Sequence, residues 1–254
     1  MRWLFLIPSL LWAQSELGFP SYSAASITNA ASNISGSYSA NTLVSIYGTN
    51  LAFSTVVLSA GAVAGGTLPS TLGLVRVLVD NHFADMIFAS PKQVNFLIPS
   101  NLGSGNTTIQ VMNDGRAGPA IHVELGDSAP GLFSADGFAV ATHGNGPLVT
   151  ADAPAAHGEV LVLYATGLGR TIPVTPEHRI ATEAELLVRR SEFEVRLNGV
   201  AVPSGNIEYV GVTPGFGGLY QINVRVPADA PADPEILVGT PDRMSPPGTR
   251  LHLR

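Results

Sequence analysis

The residues most capable of acid–base or metal chemistry are histidines and carboxylates in the second half of the chain. They are His143, Asp152, His157, Glu159, Glu177 and His178. A histidine beside a carboxylate can transfer protons, and such a group can also bind zinc. However, the chain has no His-Glu-x-x-His motif and no Gly-x-Ser-x-Gly nucleophile motif. The spacing favours solvated loop residues, and a hydrolase with an unrecognised site is kept as the less favoured alternative.

Two glycine-rich segments and five aspartates are candidates for binding phosphate or calcium. A phosphate-binding loop needs its glycines at the start of a helix, whereas residues 215–218 lead into a predicted strand and residues 167–169 lead toward Pro173 and Pro176. No Asp-x-Asp-x-Asp loop is present. The aspartates are Asp80, Asp85, Asp114, Asp127 and Asp136. Turn positions explain both groups, so we predict no metal and no cofactor.

Carbohydrate binding is an alternative function that depends on the aromatic residues. Sugar rings usually stack on exposed tryptophan or tyrosine. Both tryptophans lie in the predicted leader described below, which leaves six tyrosines. We predict that Tyr47 and Tyr164 are core or corner residues at corresponding strand ends, and that Tyr22 and Tyr38 are freer.

One seven-residue pattern occurs twice and organises the predicted strands. Residues 93–99 and 221–227 both read Gln, apolar, Asn, apolar, variable, apolar, Pro. Because side chains alternate along a strand, the apolar positions form one buried face and the other positions form a partly solvated face. The proline ends each strand. We predict structural roles for the polar members, through hydrogen bonds to adjoining loop backbone. These members are Gln93, Asn95, Gln221 and Asn223.

The first half of the chain contains several other short segments of β-branched and aromatic residues. Strands are predicted at residues 26–29, 43–47, 74–80, 83–88, 107–112 and 121–125, with residues 83–88 as the hairpin partner of 74–80 and a tight turn at Asn113, Asp114 and Gly115. Residues 54–67 are rich in Gly and Ala, and we predict a loop there that carries no core.

The second half repeats these markers in the same order. Matching segments are 160–168 with 43–51, 192–198 with 74–81, and 207–210 with 86–89, and further strands are predicted at 236–238 and 251–253. Tyr164 occupies the same position in residues 160–168 as Tyr47 does in residues 43–51. We therefore include both tyrosines among the candidate motif residues. A longer loop is predicted at residues 171–190, with a short helical turn at 183–187. Ordered recurrence of this kind indicates duplication.

Short strands without alternating helices predict an all-β protein made of two tandem antiparallel β-sandwiches. The predicted divisions are a leader at residues 1–13, a linker at 14–25, a first sandwich at 26–127 and a second at 128–254.

The leader has the order of a secretory signal peptide. Arg2 precedes a short apolar run, and Ala13 precedes polar residues, so cleavage is predicted after Ala13, which removes Trp3 and Trp12. The run is too short for an anchor, so no transmembrane anchor is expected after cleavage. The protein is therefore predicted to be exported, to the periplasm, the cell surface or the medium.

The composition excludes several classes of partner and site. The formal net charge is -6 and Lys92 is the single lysine, so there is no basic stripe to bind nucleic acid. The chain has no cysteine, which excludes disulfides and thiolate chemistry.

Several ordered segments together carry a family resemblance. They are residues 27–32, 43–51, 68–73, 90–99, 129–133, 164–169 and 213–223. In these the chain resembles the uncharacterised Solibacter-type C-terminal domain family of exported bacterial proteins, whose modules are similar to the immunoglobulin-like IPT/TIG class. The resemblance implies an exported immunoglobulin-like β protein and implies no activity. We therefore expect a non-catalytic interaction or structural module of the cell envelope or the exterior, with an unknown envelope protein or polysaccharide as partner.

Overall fold

The computed structural model describes residues 18–144 and 146–254, so the predicted leader lies outside the described residues. Within these ranges the protein is almost entirely β-structure, which confirms the predicted fold class. The α-helix found there, α1, spans Ala60–Ala64. No helix in these ranges has the length and apolarity needed to cross a membrane.

The first half of the described chain folds into two facing sheets. Its strands are β1 Ile27–Asn29, β2 Ser37–Tyr38, β3 Leu43–Tyr47, β4 Val56–Val57, β5 Val75–Val79, β6 His82–Phe83, β7 Asp85–Ala89, β8 Gln93–Leu97, β9 Gly105–Asn113, β10 Arg116–Ala117 and β11 Ile121–Leu125, and a 3-10 helix spans Ala24–Ser26. One sheet has the order β1-β3-β8-β7-β4. The other has the order β2-β11-β9-β5-β6, with β10 paired to β9.

The core of this first sandwich is built from the inward faces of both sheets. Val44 and Phe96 come from one sheet, Val77 and Val111 come from the other, and all four are fully buried in one apolar cluster. Burying such side chains stabilises each by about 1.5–3 kcal/mol relative to exposure. The apolar face predicted for residues 93–99 therefore lies in the core.

The second half has the same two-sheet construction. Its strands are β12 Gly131–Leu132, β13 Ser134–Ala135, β14 Phe138–Ala139, β15 Ala141–His143, β16 Val160–Thr166, β17 Thr171–Ile172, β18 Leu186–Leu187, β19 Glu194–Leu197, β20 Val200–Ala201, β21 Ile207–Val212, β22 Tyr220–Arg225, β23 Ile236–Thr240 and β24 Arg243–Met244, with 3-10 helices at Arg190–Glu192 and Ser204–Asn206. One sheet has the order β12-β16-β22-β21-β18-β17, with β15 paired to β16, and another has the order β20-β19-β23-β24. A small β13-β14 hairpin lies beside them. A separate apolar cluster, with members from Leu132 to Leu253, fills this second sandwich.

The pairing register confirms the predicted correspondence between residues 86–89 and 207–210. Tyr47 lies opposite Gln93 across β3 and β8, and Tyr164 lies opposite Gln221 across β16 and β22. The β7–β8 and β21–β22 pairs each have an irregularity at the same step, between Met86 and Phe88 and between Ile207 and Tyr209. Both copies therefore have the same strand pairing, including a β-bulge.

The predicted hairpin partner at residues 83–88 is divided between the two sheets of the first sandwich. β6 pairs with β5, as predicted, but β7 pairs with β8 and β4 in the opposite sheet. Ala84, between them, is fully buried. Its small side chain fits where the chain passes from one sheet to the other at the edge of the core. The prediction of one continuous strand was therefore wrong.

Three other local predictions also require correction. Residues 54–67 contain β4 and α1, and their Leu58 and Val63 pack against a buried apolar cluster. Residues 183–187 are extended rather than helical, because Leu186–Leu187 pairs as strand β18. Residues 251–253 do not form a strand, and Leu253 forms a single isolated bridge with Ala155. Tertiary packing overrides local propensity at each of these places.

Asn223 provides a test of the polar face of the repeated strand. Its Oδ1 accepts a hydrogen bond of 3.3 Å from Gln221 Nε2, in a half-buried position. Asn223→Ala should therefore lower the free energy of unfolding by about 0.5–1.5 kcal/mol, measured by denaturant titration. Ile222→Ala, on the core face of the same strand, should cost about 2–5 kcal/mol. An Asn223→Ala cost as large as that of Ile222→Ala would contradict a peripheral structural role.

Candidate functional site

The two sandwiches meet through a third apolar cluster, here called the junction cluster. Leu68, Leu97 and Ile180 are its buried members, and Leu43, Leu58, Val63 and Ile87 pack against them half-buried. Ile180 comes from the second sandwich, whereas the other members come from the first. The sandwiches therefore contact each other through hydrocarbon side chains rather than only through a connecting segment.

The junction cluster explains a difference between the two repeated strands. Leu97 and Ile87 belong to the cluster, and the pairing register places Arg225 and Glu208 at their positions in the second sandwich. Arg225 Nη2 and Glu208 Oε1 form an exposed ion pair of 2.5 Å. The prediction of a partly solvated face holds for Arg225, but it was wrong for Leu97, because the second sandwich covers that residue.

The glycines at residues 215–218 lie in a turn, as predicted, and that turn docks on the junction cluster. A Cβ atom on Gly218 would overlap Leu97 Cδ2, and one on Gly217 would lie 3.0 Å from Leu68 Cδ1. Gly218 also has a φ of +70°, which a side chain disfavours. Their role is to allow close approach between backbone and side chains, rather than to bind phosphate.

Buried and partly buried hydrogen bonds cross the same junction. Thr166 Oγ1 accepts from Leu43 N at 2.9 Å and donates to Gly218 O at 2.7 Å. Ser39 Oγ donates to Gly167 O at 3.1 Å, and Asn29 Nδ2 donates to Ala129 O at 3.0 Å. Buried polar groups must be paired, so these bonds restrict the relative orientation of the sandwiches. No sequence motif pointed to this set of bonds.

The long loop predicted at residues 171–190 crosses to the first sandwich. His178 Nδ1 lies 2.5 Å from Asp85 Oδ1, and the backbone of His178 accepts a hydrogen bond from Leu68 N at 2.9 Å. Ile180 N also donates to Gly66 O at 3.0 Å. The loop thus acts as a clamp that combines backbone pairing with one acid–histidine contact.

Burial of Asp85 is the main cause of a raised pKa for its carboxyl group. The hydrogen bond from His178 lowers that pKa in part, while the like charge of Glu177 raises it slightly. The charged form of Asp85 is therefore destabilised in the folded protein relative to the unfolded chain.

The structure brings His143 and Glu159 of the predicted group together, but it does not assemble the group into one site. His143 Nδ1 contacts Glu159 Oε1 at 2.5 Å, His157 Nε2 contacts Ala230 O at 2.8 Å, and His178 contacts Asp85. Over residues 18–144 and 146–254 there is no group of three metal-binding side chains. Each of these histidines lies beside a carboxylate or carbonyl oxygen at a separate place in the fold.

The aspartates considered for calcium also lie apart. Asp80, Asp114 and Asp136 have the left-handed φ typical of turn residues, which confirms the turn prediction for these three. Asp85 belongs to strand β7 and contacts His178. Asp127 lies next to a cavity at the junction.

The prediction that Tyr22 and Tyr38 are freer was wrong, and of the two roles predicted for Tyr47 the core role is contradicted, whereas the position at a strand end is kept. Tyr47 is 40% exposed, so it is not a core residue, while Tyr38 is fully enclosed and donates to Ile27 O at 2.6 Å. Tyr22 donates to Pro119 O at 2.6 Å and accepts from Val111 N at 2.7 Å. Burial raises the pKa of Tyr22 to about 12. Tyr22 and Tyr38 therefore serve the fold, and Tyr47 offers an aromatic surface.

The six candidate motif residues form two equivalent groups, one on each sandwich. In the first, Tyr47 lies opposite Gln93, and Gln93 Nε2 donates to Asn95 Oδ1 at 2.9 Å. The second group consists of Tyr164, Gln221 and Asn223 in the same register. The amides bond to each other, whereas hydrogen bonds to adjoining loop backbone were predicted.

Comparison with known proteins identifies the first sandwich. Residues 27–125 match the model of the family described as IPT/TIG domain. The first sandwich is therefore similar to the IPT/TIG domain family. The match supports that part of the resemblance found in the sequence, and the Solibacter-type family remains a prediction. No curated protein matches the chain.

Several solved structures are similar over most of the chain. The SGBP-B protein of a Bacteroides ovatus mixed-linkage glucan utilization locus is 10% identical with a TM-score of 0.36, covering 92% of this chain and 47% of its own. The surface glycan-binding protein PbSGBP-B of Prevotella bryantii is 13% identical with a TM-score of 0.27, covering 92% and 41%. Domains 5–6 of the S-layer protein SbsC are 8% identical with a TM-score of 0.28, covering 92% and 98%. The present chain spans about half the length of the first of these.

The junction cluster can be tested with a residue taken from the second copy. Leu97→Arg places a charge against Gly217 and Gly218, so it should lower the free energy of unfolding by about 3 kcal/mol or more, measured by denaturant titration. Calorimetry should then show two separated transitions. Arg225→Leu, the reciprocal change, removes one exposed ion pair and one exposed hydrogen bond to Gly158 O, and it should change stability by about 1 kcal/mol or less. Equal stabilities for the two variants would contradict the buried role of Leu97.

The raised pKa of Asp85 predicts a pH dependence of stability. The stabilising proton on Asp85 is fully present below the unfolded pKa of about 3.9 and is lost as the pH rises through the higher folded pKa. Asp85→Asn should therefore lose less stability than the parent when the pH is raised from about 4 to 7. Thermal unfolding at several pH values measures this. Asp114→Asn, in an exposed turn, should behave like the parent, and a parallel profile for Asp85→Asn would contradict the assignment.

Proposed function

We propose that the protein is an exported, non-catalytic module that binds or organises other molecules at the cell envelope or outside the cell. The observation that carries the proposal is the junction, where buried hydrogen bonds and the junction cluster connect both sandwiches. Two domains connected in this way present their outer surfaces in one arrangement. A partner that contacts both pays less ordering entropy than it would on freely moving domains.

The dispersal of the acid–histidine contacts supports a non-catalytic role. A catalytic triad needs a nucleophile, a base and an orienting group within hydrogen-bond reach. His143 with Glu159 and His178 with Asp85 each supply only the last two of these. His178 is also tied to the backbone of the first sandwich through Leu68. These contacts are those expected of loop attachment.

Export is proposed from the order of the first thirteen residues, as set out above. The net charge of -6 disfavours binding to nucleic acid, because nucleic acid is also negatively charged. The partner is proposed to be a protein or a polysaccharide of the envelope.

Carbohydrate binding is the second candidate, and the Tyr47 group is the observation that favours it. Tyr47 is an exposed tyrosine directly opposite Gln93. An aromatic ring beside amide donors and acceptors can stack on a sugar and bind its hydroxyl groups. Tyr164 has the same register on the other sandwich, but it is half-buried, so the Tyr47 group is the candidate surface.

A binding experiment with matched variants tests the proposal. The protein without residues 1–13 is immobilised and exposed to envelope extract and to a glycan array. We expect a reproducible partner that the parent and Arg225→Leu retain, and that Thr166→Val binds at least about tenfold more weakly, because this change removes the buried hydroxyl from the junction.

Two outcomes would overturn the proposal. One is turnover in a broad esterase, glycosidase and protease screen that is lost on substitution of His143, His157 or His178. The other is a partner retained equally by Thr166→Val at a temperature where calorimetry shows the junction open. On the array, loss of a glycan signal in Tyr47→Ala would identify the polysaccharide candidate, and a blank array would remove it.

A further inference from the structure

A cavity of about 400 Å³, here called the waist cavity, lies between the two sandwiches, where the end of the first meets the second. This waist cavity is lined by Leu102 and Asp127 from the first sandwich and by Leu168, Arg170 and Leu187 from the second. Its volume falls within the range of about 300–1,000 Å³ typical of small-molecule sites, which often form at domain interfaces. The junction thus forms a pocket that is partly open to solvent and large enough for a ligand.

The floor of the waist cavity is apolar and already folded into place. Leu102, Leu168 and Leu187 are all buried, and they are contributed by both sandwiches. Leu168 and Leu187 also belong to the core of the second sandwich. A compact apolar group could contact this floor without rearrangement of the core, so binding has a low reorganisation cost.

The charged rim of the waist cavity has one guanidinium group without a carboxylate partner. Arg189 is held by Glu192 at 2.6 Å and by Asp242 at 3.0 Å. Arg170 instead donates from Nη2 to Leu102 O at 3.0 Å, and in the described part of the chain it forms no salt bridge. A guanidinium has five donors, so Arg170 keeps several for a ligand.

We propose that the waist cavity binds a small carboxylate with a compact apolar body. The carboxylate pairs with Arg170, whose planar fork matches two carboxylate oxygens, and the body covers the leucine floor. A dianionic phosphate fits less well, because only one unpaired guanidinium is available and Asp127 lies on the same rim. This site is separate from the Tyr47 and Tyr164 groups.

The position of the waist cavity gives the ligand an effect on the junction. Because both sandwiches contribute to the floor, a ligand that binds the assembled junction stabilises it by mass action. A ligand of the waist cavity should therefore bind directly and also raise the unfolding temperature.

A panel of acids and matched amides tests the proposal. The probes are 4-phenylbutanoate, hexanoate and N-acetyl-leucine, each compared with its neutral amide by isothermal titration calorimetry and thermal unfolding at constant ionic strength. At least one acid should bind roughly tenfold more tightly than its amide and raise the unfolding temperature. Arg170→Gln should abolish the preference for the acid. Arg190→Gln, an exposed neighbour outside the cavity lining, should keep it.

A second variant tests the cavity rather than the charge. Ser104→Trp places a bulky ring at the rim and should abolish binding while leaving Arg170 intact. Four outcomes would each overturn the proposal. They are equal binding of acid and amide, acid binding that survives Arg170→Gln, acid binding that survives Ser104→Trp, and no binding by any acid of the panel at millimolar concentration.

Discussion

The buried hydroxyl of Thr166 is the contact on which the arrangement of the two sandwiches depends. It serves at once as acceptor for the N–H of Leu43 and as donor to the carbonyl of Gly218. Neither backbone group could be left unpaired in this buried place without a cost of about 1–3 kcal/mol. The hydroxyl therefore places the start of strand β3, the end of strand β16 and the glycine turn before strand β22 in one geometry. The junction cluster and the histidine clamp pack around that geometry.

Alternation of side chains made strands β8 and β22 predictable, because their apolar positions had to share a core face. The correspondence of residues 86–89 with 207–210 was also predictable, since both segments must pair with those strands. The burial of Leu97 was not predictable, because it depends on a loop more than a hundred residues away. The contact of His178 with Asp85 has the same origin, a tertiary approach between loops that leaves no periodic pattern in the sequence.

The candidate site residues show the same division between local and tertiary information. Grouping Tyr47 with Gln93 and Asn95 follows from strand pairing, which the repeated markers indicated. Whether each tyrosine is exposed depends on what lies over the sheet. For this reason the sequence did not predict that Tyr38 is buried and that Tyr47 is exposed. Arg170 could not be identified as a site residue from the sequence, because an arginine that follows a turn belongs to no binding motif. Only the folded junction places it above a leucine floor.

The ion pair between Glu208 and Arg225 has a consequence for self-association. It occupies the same sheet positions as Ile87 and Leu97 of the junction cluster, and Leu97 packs against the glycine turn of the second sandwich. If the second sandwich carried the same apolar surface, that surface would stay uncovered, because the glycine turn already packs on Leu97 of its own molecule. An uncovered apolar patch of this kind is a site where other molecules can adhere. The charged pair removes the receiving surface from one copy, so duplication of the domain did not duplicate its adhesive face.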